Sequence, residues 1–562
     1  MKTLLKNANV VNVFTGEIER ADVLIDGEVI VGVGDYSNVS ADVEKDLNGK
    51  YVCPGFIDGH LHIESTFLTP AELAKAILPC GTTLIVTDPH EMANVCGAKG
   101  IKYMIEKSRN LPLKVYFNLP SCVPSTPFDE SGAILKAKDL QPLYKLDRVL
   151  GLAEMMNYPG VINGDKDVLE KLSFAVKNGK VIDGHAPMLS GRDLDVYVSK
   201  GVKTDHECSN LEEAKEKIRK GQWIMLRQGT AARNLEGLLG LFDEPYCLRT
   251  ILVTDDRHPT DFINEGHIDN IIRLAVSKGK SVITAIQMAT IRSAECFNLK
   301  NIGAIAPSFK ADLLVLDDLD SISISEVYVD GKLVVENKKV FPFTPPVASK
   351  KLEKKVLKTF NLKQLKEQDF YIENKGGKCR VIGLIKGELL TDELIEDIDF
   401  NKDNGIDIDK DIVKLAVIER HKNTSHKGVG FIKGIGIKKG AMASSVSHDS
   451  HNIICIGTNE KDMAIASNRV IEKGGNVVVL DGKVIAEMPL PIAGLISDKD
   501  VLTVAKENEK VRKAVHELGV PFEVEPFMNM AFVSLSVIPS LKMTTKGLID
   551  VNTQQLKSLF IE

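Results

Sequence analysis

Eight short apolar runs, separated by helix-like stretches, occupy residues 55–256 of this 562-residue chain. They lie at 55–62, 84–90, 114–120, 149–155, 181–185, 202–206, 223–228 and 251–256. Two of the stretches between them, 167–177 and 211–219, combine helical apolar spacing with a charged face. Strands that alternate with helices are typical of a parallel sheet, so eight such units predict an α/β fold built on a (β/α)8 TIM-like barrel.

Short β-branched runs flank the predicted barrel on both sides. Residues 4–35 are typical of a meander of small strands, and similar sequence returns at 311–316 and 327–332. A Pro- and Lys-rich stretch at 341–355 then predicts a linker to a separate α+β region. We therefore predict a split small β-sandwich domain, a barrel and a C-terminal α+β domain, with bounds 1–55, 56–299, 300–345 (second β part) and 346–562.

The net charge, the cysteine pattern and the lengths of the apolar runs indicate which classes of protein this chain can belong to. The 71 Lys and Arg residues against 77 Asp and Glu residues leave a formal net charge of −6 without a basic stripe, which argues against nucleic-acid binding. The nine cysteines are widely spaced and none of them forms a C-x-x-C motif. Scattered cysteines of this kind are typical of reduced thiols in a cytosolic enzyme. No apolar run reaches the ~18 residues of a membrane span. We expect a cytoplasmic protein with a small-molecule or protein partner and no membrane contact.

Polar residues at the ends of the predicted strands carry the chemistry. His60 and His62 are two apart, so both side chains point to one side of a strand. Barrel active sites are built at the carboxyl ends of several strands. Four histidines and two carboxylates there could hold two divalent ions, and the residue types fit zinc, manganese or ferrous iron. The candidate ligands are His60, His62, Glu154, His185, His206 and Asp255.

At these positions the chain resembles the amidohydrolase superfamily and, more closely, the bacterial adenine deaminase family. The general part of the resemblance is the split β domain together with Pro54-Gly-Phe-Ile-Asp-Gly-His-Leu-His62. The resemblance extends from about residue 5 to about residue 548. More distinctive motifs are Gly151-Leu-Ala-Glu-Met-Met-Asn-Tyr-Pro-Gly160, Asp183-Gly-His-Ala-Pro187, Thr254-Asp-Asp-Arg257, Val446-Ser-His-Asp-Ser-His-Asn452 and Pro489-Leu-Pro-Ile-Ala-Gly494.

The resemblance implies hydrolytic deamination of adenine to hypoxanthine and ammonia at a site of two divalent metal ions, commonly Mn²⁺ or Fe²⁺, with Zn²⁺ possible. By position, His60 and His62 would bind the first ion, and His185 and His206 the second. Glu154 would bridge the two ions, where hydantoinase-like relatives use a carboxylated lysine. Asp255 would bind the first ion and accept a proton from the attacking water. A homo-oligomer, most simply a dimer, is usual for such barrels.

Other polar residues are second candidates for catalysis or substrate binding. His90 and Glu91, after the second strand, could relay protons or read the purine edge, or they could support the metal ligands from outside. A second group of histidines around His448 and His451 could close over the barrel mouth, or it could form a surface turn or a dimer contact. We take Asp88, His448, Asp449 and His451 as candidate substrate contacts.

Three rival functions are compatible with these patterns. A related purine could be the substrate, a cyclic amide could be hydrolysed instead, or the barrel could be a scaffold without catalysis. The scaffold hypothesis predicts missing ligands, yet all six candidate ligands are present. The zinc-dependent nucleobase deaminases carry H-x-E…P-C-x-x-C, whereas Pro79-Cys80 is followed here by Gly-Thr-Thr. That chemistry is excluded.

Overall fold

The eight predicted runs form eight parallel strands in the computed structural model, which describes residues 1–386 and 388–561. Five strands make one parallel sheet and three make a second. A parallel bridge joins Leu61, at the end of the first strand, to Asp255 after the eighth, consistent with the predicted barrel. The strands are Phe56–Leu61, Thr82–Thr87, Lys114–Leu119, Val149–Met155, Val181–Gly184, Thr204–Asp205, Trp223–Arg227 and Thr250–Val253.

Helices alternate with these strands, as the apolar spacing predicts. Lys166–Lys177 begins after Asp165, whose side chain accepts a hydrogen bond from Val168 N. Leu211–Arg219 begins after Asn210, which caps it in the same way. Side-chain caps of this kind satisfy backbone N–H groups that have no partner within the helix. The other helices of this region are Pro70–Ile77, His90–Cys96, Ala98–Lys107, Ala137–Leu140, Tyr158–Asn163, Gly191–Ser199, Pro259–Asn264, Ile268–Ser277, Val282–Met288 and Ile291–Cys296.

The two flanking β pieces belong to one nine-stranded sheet. Val52, in the strand that leads into the barrel, lies opposite Val315 in the strand that follows the barrel. The long intervening segment therefore starts and ends at neighbouring strands, as a split β domain requires. The strands are Lys2–Val11, Ile18–Asp26, Val29–Gly34, Val43–Asp46, Tyr51–Pro54, Leu313–Asp318, Ser323–Val329, Lys332–Glu336 and Lys339–Val340.

The stretch predicted as a linker ends in a helix, Lys350–Val356. Its Leu352 and Val356 side chains are buried, and Ser349 N donates to Glu106 Oε2 at 2.8 Å. The charged lysines that suggested an exposed linker lie on the other side of this helix. Apolar residues at a spacing of four thus dock the segment on the barrel.

After the helix Lys350–Val356, the described part of the C-terminal region combines a second nine-stranded sheet, a three-stranded sheet and three further α-helices. The large sheet contains Lys378–Leu384, Thr391–Glu396, Ile412–Ile418, Lys427–Lys433, Ala441–Ser444, Ile453–Gly457, Asn476–Leu480, Lys483–Met488 and Phe560–Ile561. The small sheet contains Leu541–Thr544, Gly547–Asp550 and Gln555–Lys557, and the helices are Glu460–Lys473, Val501–Glu517 and Pro526–Phe532.

Hydrogen bonds hold this region against the loop that follows the third barrel strand. Thr126 Oγ1 lies 2.7 Å from Ser536 Oγ, and Asn452 Nδ2 donates to Glu130 O at 2.7 Å. These contacts bring two C-terminal segments, 446–452 and 526–538, over the carboxyl ends of the barrel strands. Within the described part of the chain, no helix is both long enough and apolar enough to cross a bilayer.

Candidate metal centre

Six polar side chains meet at the carboxyl ends of the first, fourth, fifth, sixth and eighth barrel strands. Each belongs to a residue that is at most 7% exposed. The carboxyl ends of parallel strands lie at one edge of the barrel, so residues far apart in the sequence become neighbours there. The structure thus brings together all the predicted ligands: His60, His62, Glu154, His185, His206 and Asp255.

The two histidines at the carboxyl end of the first strand, His60 and His62, both lie near one carboxylate oxygen. Asp255 Oδ1 lies 3.2 Å from His62 Nε2 and 3.6 Å from His60 Nε2. Asp255 has a left-handed backbone, with φ of 59°, and its N–H donates to His60 O at 3.0 Å. This conformation is uncommon for a non-glycine residue and is held here by the neighbouring strand. It directs the carboxylate toward both histidine rings.

Glu154 stands between the two pairs of histidines. Its Oε1 lies 3.4 Å from His62 Nε2, whereas its Oε2 lies 2.8 Å from His185 Nδ1 and 3.3 Å from His206 Nε2. One carboxylate oxygen therefore faces each pair. A glutamate placed in this way can contribute one oxygen to each of two cations.

The protonation pattern of the first pair fits cation binding. His60 Nδ1 lies 2.8 Å from Asp183 Oδ2, and His62 Nδ1 lies 3.1 Å from Asp88 O. Both partners are acceptors, so each ring donates from Nδ1, and a neutral ring would then turn an Nε2 lone pair inward. His60 Nε2 is buried without a hydrogen-bond partner among the described residues. A buried, unpaired acceptor is costly unless a cation takes the place of the donor.

The donor set also fits in spacing and type. His60, His62 and Asp255 form one group of possible ligands, and His60, Glu154 and His206 form another, with ligand atoms within 4.8 Å of one another in each. Imidazole nitrogen with carboxylate oxygen suits zinc, manganese or ferrous iron. The arrangement is therefore able to hold two divalent ions that share Glu154.

The two carboxylates stay ionised despite their burial. Burial raises the pKa of Glu154, but the hydrogen bonds from His185 and His206 lower it by more than burial raises it. The pKa of Glu154 is therefore well below that of a free glutamate. Burial also raises the pKa of Asp255, but the positive charge of Arg227 has the larger, opposite effect. The pKa of Asp255 is therefore well below that of a free aspartate. Ionised carboxylates are the form that metal ions bind.

We predict that Asp183→Asn weakens metal binding because Asp183 orients the His60 ring. The amide of the variant would still accept one hydrogen bond, but it would lose the charge that raises the basicity of His60. Loss of such an outer partner lowers metal affinity or activity by about 10–100-fold. Titration of metal-free protein with Mn²⁺, followed by calorimetry, measures the change. The matched control is Asp312→Asn, a buried aspartate of the β domain that pairs with Lys114 at the start of the third barrel strand. Equal Mn²⁺ affinity in both variants would contradict the assignment.

The residues after the second barrel strand divide into two groups. His90 lines the cavity above the centre, with its Nδ1 3.0 Å from Asp88 Oδ2 and its Nε2 3.5 Å from Asp449 Oδ1. Glu91 is fully buried and does not line that cavity; it accepts from Ser65 Oγ at 2.8 Å and faces His451 Nε2 at 3.5 Å. Asp88 also lies behind the cavity wall, where it supports His90 and His62.

The C-terminal histidine segment covers the barrel mouth. His448 and Asp449 line the same cavity as the predicted ligands. Asp449 Oδ2 is buried without a hydrogen-bond partner among the described residues, so an acceptor is free at the cavity wall. His451 lies deeper: its Nδ1 accepts from Ser447 N at 3.2 Å, which leaves Nε2–H to face Glu91. Arg420, fully buried, donates to the backbone carbonyl of His451 and fixes this segment.

Several residues of the site are not predicted by the sequence analysis. Arg227 and Glu207 form an ion pair at the cavity wall, and Arg227 Nη1 also lies 2.8 Å from Asp255 Oδ2. An apolar roof comes from the C-terminal region, where the Phe532 ring stacks on His448 with centroids 4.6 Å apart. The apolar residues of this roof are Leu389, Met528, Phe532, Leu535 and Ile538.

Comparison with known proteins connects this site to two family descriptions. A model of the amidohydrolase family matches residues 51–334, and a model of the adenine deaminase C-terminal domain matches residues 388–555. The first range includes the six predicted ligands, and the second includes the His448 segment and the apolar roof. Both parts of the cavity wall therefore fall within matched regions.

Curated relatives match the chain over nearly its whole length. The adenine deaminase of Clostridium acetobutylicum is 46% identical over 98% of this chain and 96% of its own length. The adenine deaminase of Kosmotoga olearia is 45% identical over 99% of this chain and 96% of its own length. Among solved structures, dihydropyrimidinase from Brevibacillus agri aligns with a TM-score of 0.47 and 17% identity, covering 60% of this chain and 96% of that one.

Proposed function

The chain belongs to the adenine deaminase family of the amidohydrolases and catalyses hydrolytic deamination of adenine to hypoxanthine and ammonia, and we propose that two divalent metal ions serve this reaction at the barrel mouth. The observation that carries the metal assignment is the position of Glu154, with one carboxylate oxygen toward each histidine pair. His60, His62 and Asp255 would complete the first ion site, and His185 and His206 the second.

The two metal ions would activate the attacking water, and we propose which elements they are. When bound, two divalent ions lower the pKa of a water molecule so that hydroxide is available near neutral pH. We assign Mn²⁺ or Fe²⁺, with Zn²⁺ as the alternative that the same residue types accept. Three of the four histidines, His60, His62 and His206, would bind through Nε2. The fourth, His185, turns its Nδ1 toward Glu154.

Asp255 is the residue we assign to proton transfer. Its carboxylate lines the cavity and is ionised, so it can accept a proton from the water whose oxygen attacks C6 of the purine. It then delivers that proton to the amino nitrogen, and the C6–N bond breaks as ammonia leaves. The second proton of the water ends on the ring nitrogen of hypoxanthine. His90, which borders the cavity beside Asp449, is placed to carry this second proton.

The purine would lie between the metal ligands and the C-terminal roof. Asp449 offers a carboxylate oxygen without a partner among the described residues and accepts an N–H of the purine edge, and His448 offers its ring at the same wall. Asp88 and His451 act on the substrate through His90 and Glu91, which they contact. Glu91, which contacts Ser65 and His451, then either supports this wall of the cavity or relays protons to it through those two residues.

The organisation of the chain completes the proposal. We assign an α/β (β/α)8 barrel at 56–299, a split small β-sandwich at 1–55 and 300–345, and a C-terminal α+β domain at 346–562. We further propose a homodimer in the cytoplasm, with adenine as a small-molecule partner and with no nucleic-acid partner. Size-exclusion chromatography with light scattering tests the dimer.

A purine panel tests the substrate and the metal together. We expect Mn²⁺- or Fe²⁺-reconstituted protein to convert adenine to hypoxanthine with release of ammonia, both measured directly. Metal-free protein should be inactive and should regain turnover when Mn²⁺ is added. Guanine, adenosine and a cyclic amide such as dihydrouracil are the comparison substrates. If adenine is untouched while one of these turns over, the substrate assignment is wrong.

A further inference from the structure

Arg227 connects two carboxylates at the candidate metal centre, those of Asp255 and Glu207. It ends the seventh barrel strand, and its side chain is 11% exposed. Nη1 lies 2.8 Å from Asp255 Oδ2 and also pairs with Glu207 Oε1, while Nη2 lies 3.3 Å from Glu207 Oε2. Among the cavity-lining residues that the structure describes, Arg227 is the only lysine or arginine.

We propose that Arg227 is a positioning residue for the deamination reaction: it fixes the carboxylates of Asp255 and Glu207 at the metal centre. The proposal rests on the function assigned above. Glu207, held by both Nη1 and Nη2 of the same guanidinium, faces the second histidine pair. Arg227 itself contacts neither the purine nor a metal ion in this assignment.

The geometry around Asp255 explains why the carboxylate needs such a partner. Its Oδ1 faces His60 and His62, and its Oδ2 accepts from Arg227. A carboxylate can rotate about its side-chain bond, and the same residue must bind a metal ion and carry a proton. A charge-assisted hydrogen bond to one oxygen keeps the other oxygen toward the histidines. The orientation that both tasks require is thereby set before substrate enters.

Glu207 is the second carboxylate that Arg227 holds. Its Oε1 lies 3.4 Å from His206 Nε2 and 3.7 Å from His185 Nδ1, close to where the second ion would be held. Without the guanidinium of Arg227, the Glu207 carboxylate would compete with Glu154 for hydrogen bonds from His185 and His206. The planar fork of arginine can hold two carboxylates at once, which the single ammonium of lysine does less well.

The test compares Arg227→Gln and Arg227→Lys with Arg257→Gln. Arg257 is a matched control because it is also buried, two residues beyond Asp255, but it pairs with Glu265 and Gln228 O rather than with a candidate ligand. Manganese content, melting temperature, kcat, KM and the Mn²⁺ electron paramagnetic resonance spectrum are measured for each. We expect Arg227→Gln to keep both ions and to lower kcat by about 10–100-fold with little change in KM. Arg227→Lys should fall between it and the wild type.

The outcomes separate positioning from simple stabilisation. A changed resonance spectrum in Arg227→Gln but not in Arg257→Gln supports the proposal, because that spectrum reports ligand geometry without turnover. A kcat per bound manganese pair that stays at the wild-type value in Arg227→Gln overturns it. Wild-type kcat in Arg227→Lys would also overturn it, since charge alone would then suffice. Failure of the wild type to deaminate adenine would instead reject the substrate assignment, and the spectra would still test the positioning.

Discussion

Replacing Asp255 with Asn should lower kcat for adenine by about 10³–10⁴-fold, which corresponds to a barrier roughly 4–5 kcal/mol higher. The variant has the same shape but can neither accept a proton nor offer a charged oxygen to a metal ion. Its amide oxygen can still accept a hydrogen bond from Arg227, so the wall of the cavity should keep its structure. Steady-state kinetics of the Mn²⁺-loaded variant, with manganese content measured on the same sample, gives the result.

The control for this prediction is Asp261→Asn. Asp261 follows the same barrel strand, and its Oδ2 accepts from Thr230 Oγ1 at 2.6 Å, but it does not line the cavity. It should melt at a temperature similar to that of Asp255→Asn and keep nearly full turnover. If Asp255→Asn binds both ions and retains near-normal kcat, Asp255 has no role in proton transfer and another cavity residue must take it.

The barrel strands, and the meeting of the six candidate ligands at their carboxyl ends, are the part that sequence patterns predict well. The barrel strands are almost entirely buried on both faces, as in parallel sheets covered by helices, and most appear as largely apolar runs. The point where such a run meets His, Asp or Glu marks the strand end, because polar groups are otherwise rare in these runs. His60, Glu154 and Asp255 are all found by this rule, although nearly 200 residues separate the first and the last.

Neighbours of a predicted residue are harder to assign than the residue itself. Glu91 follows His90 directly, yet only His90 reaches the cavity. A helix begins at His90, and successive side chains on a helix point about 100° apart, so Glu91 turns to Ser65 and His451. Spacing along the chain shows which residues lie near the barrel mouth, but the local backbone decides which of them face it.

The cavity roof could not be predicted because it depends on packing between distant parts of the chain. Phe532 and Met528 have the apolar character of ordinary core residues, and no pattern around them indicates a ligand. They reach the barrel mouth because Ser536 bonds to Thr126, more than 400 residues earlier. Arg227 is equally hidden, since a single arginine after an apolar strand is usually a surface residue. Its role becomes visible only when Glu207 and Asp255 are seen on either side of it.

Glu154→Gln should cause the other large loss, through the metal ions rather than through proton transfer. The glutamate turns one oxygen toward His62 and the other toward His185 and His206. Glutamine keeps one oxygen and replaces the other with an NH₂ group, which is a hydrogen-bond donor and cannot bind a cation. One ion site therefore loses its shared ligand and also faces a donor of the wrong polarity. We expect one of the two manganese ions to be lost and kcat to fall by about 10³-fold or more.

A buried glutamate elsewhere provides the comparison for Glu154→Gln. Glu326 is 4% exposed in the β domain and pairs with Lys45, so Glu326→Gln removes a buried charge without touching the metal centre. Manganese content by mass spectrometry and kcat on adenine are measured for both variants, with melting temperature to confirm folding. Full manganese content in Glu154→Gln would mean that the ions do not share this residue. In that case Glu207, the next carboxylate at the second histidine pair, would be the residue to test as a ligand, because its Oε1 already lies within 3.4 Å of His206 Nε2.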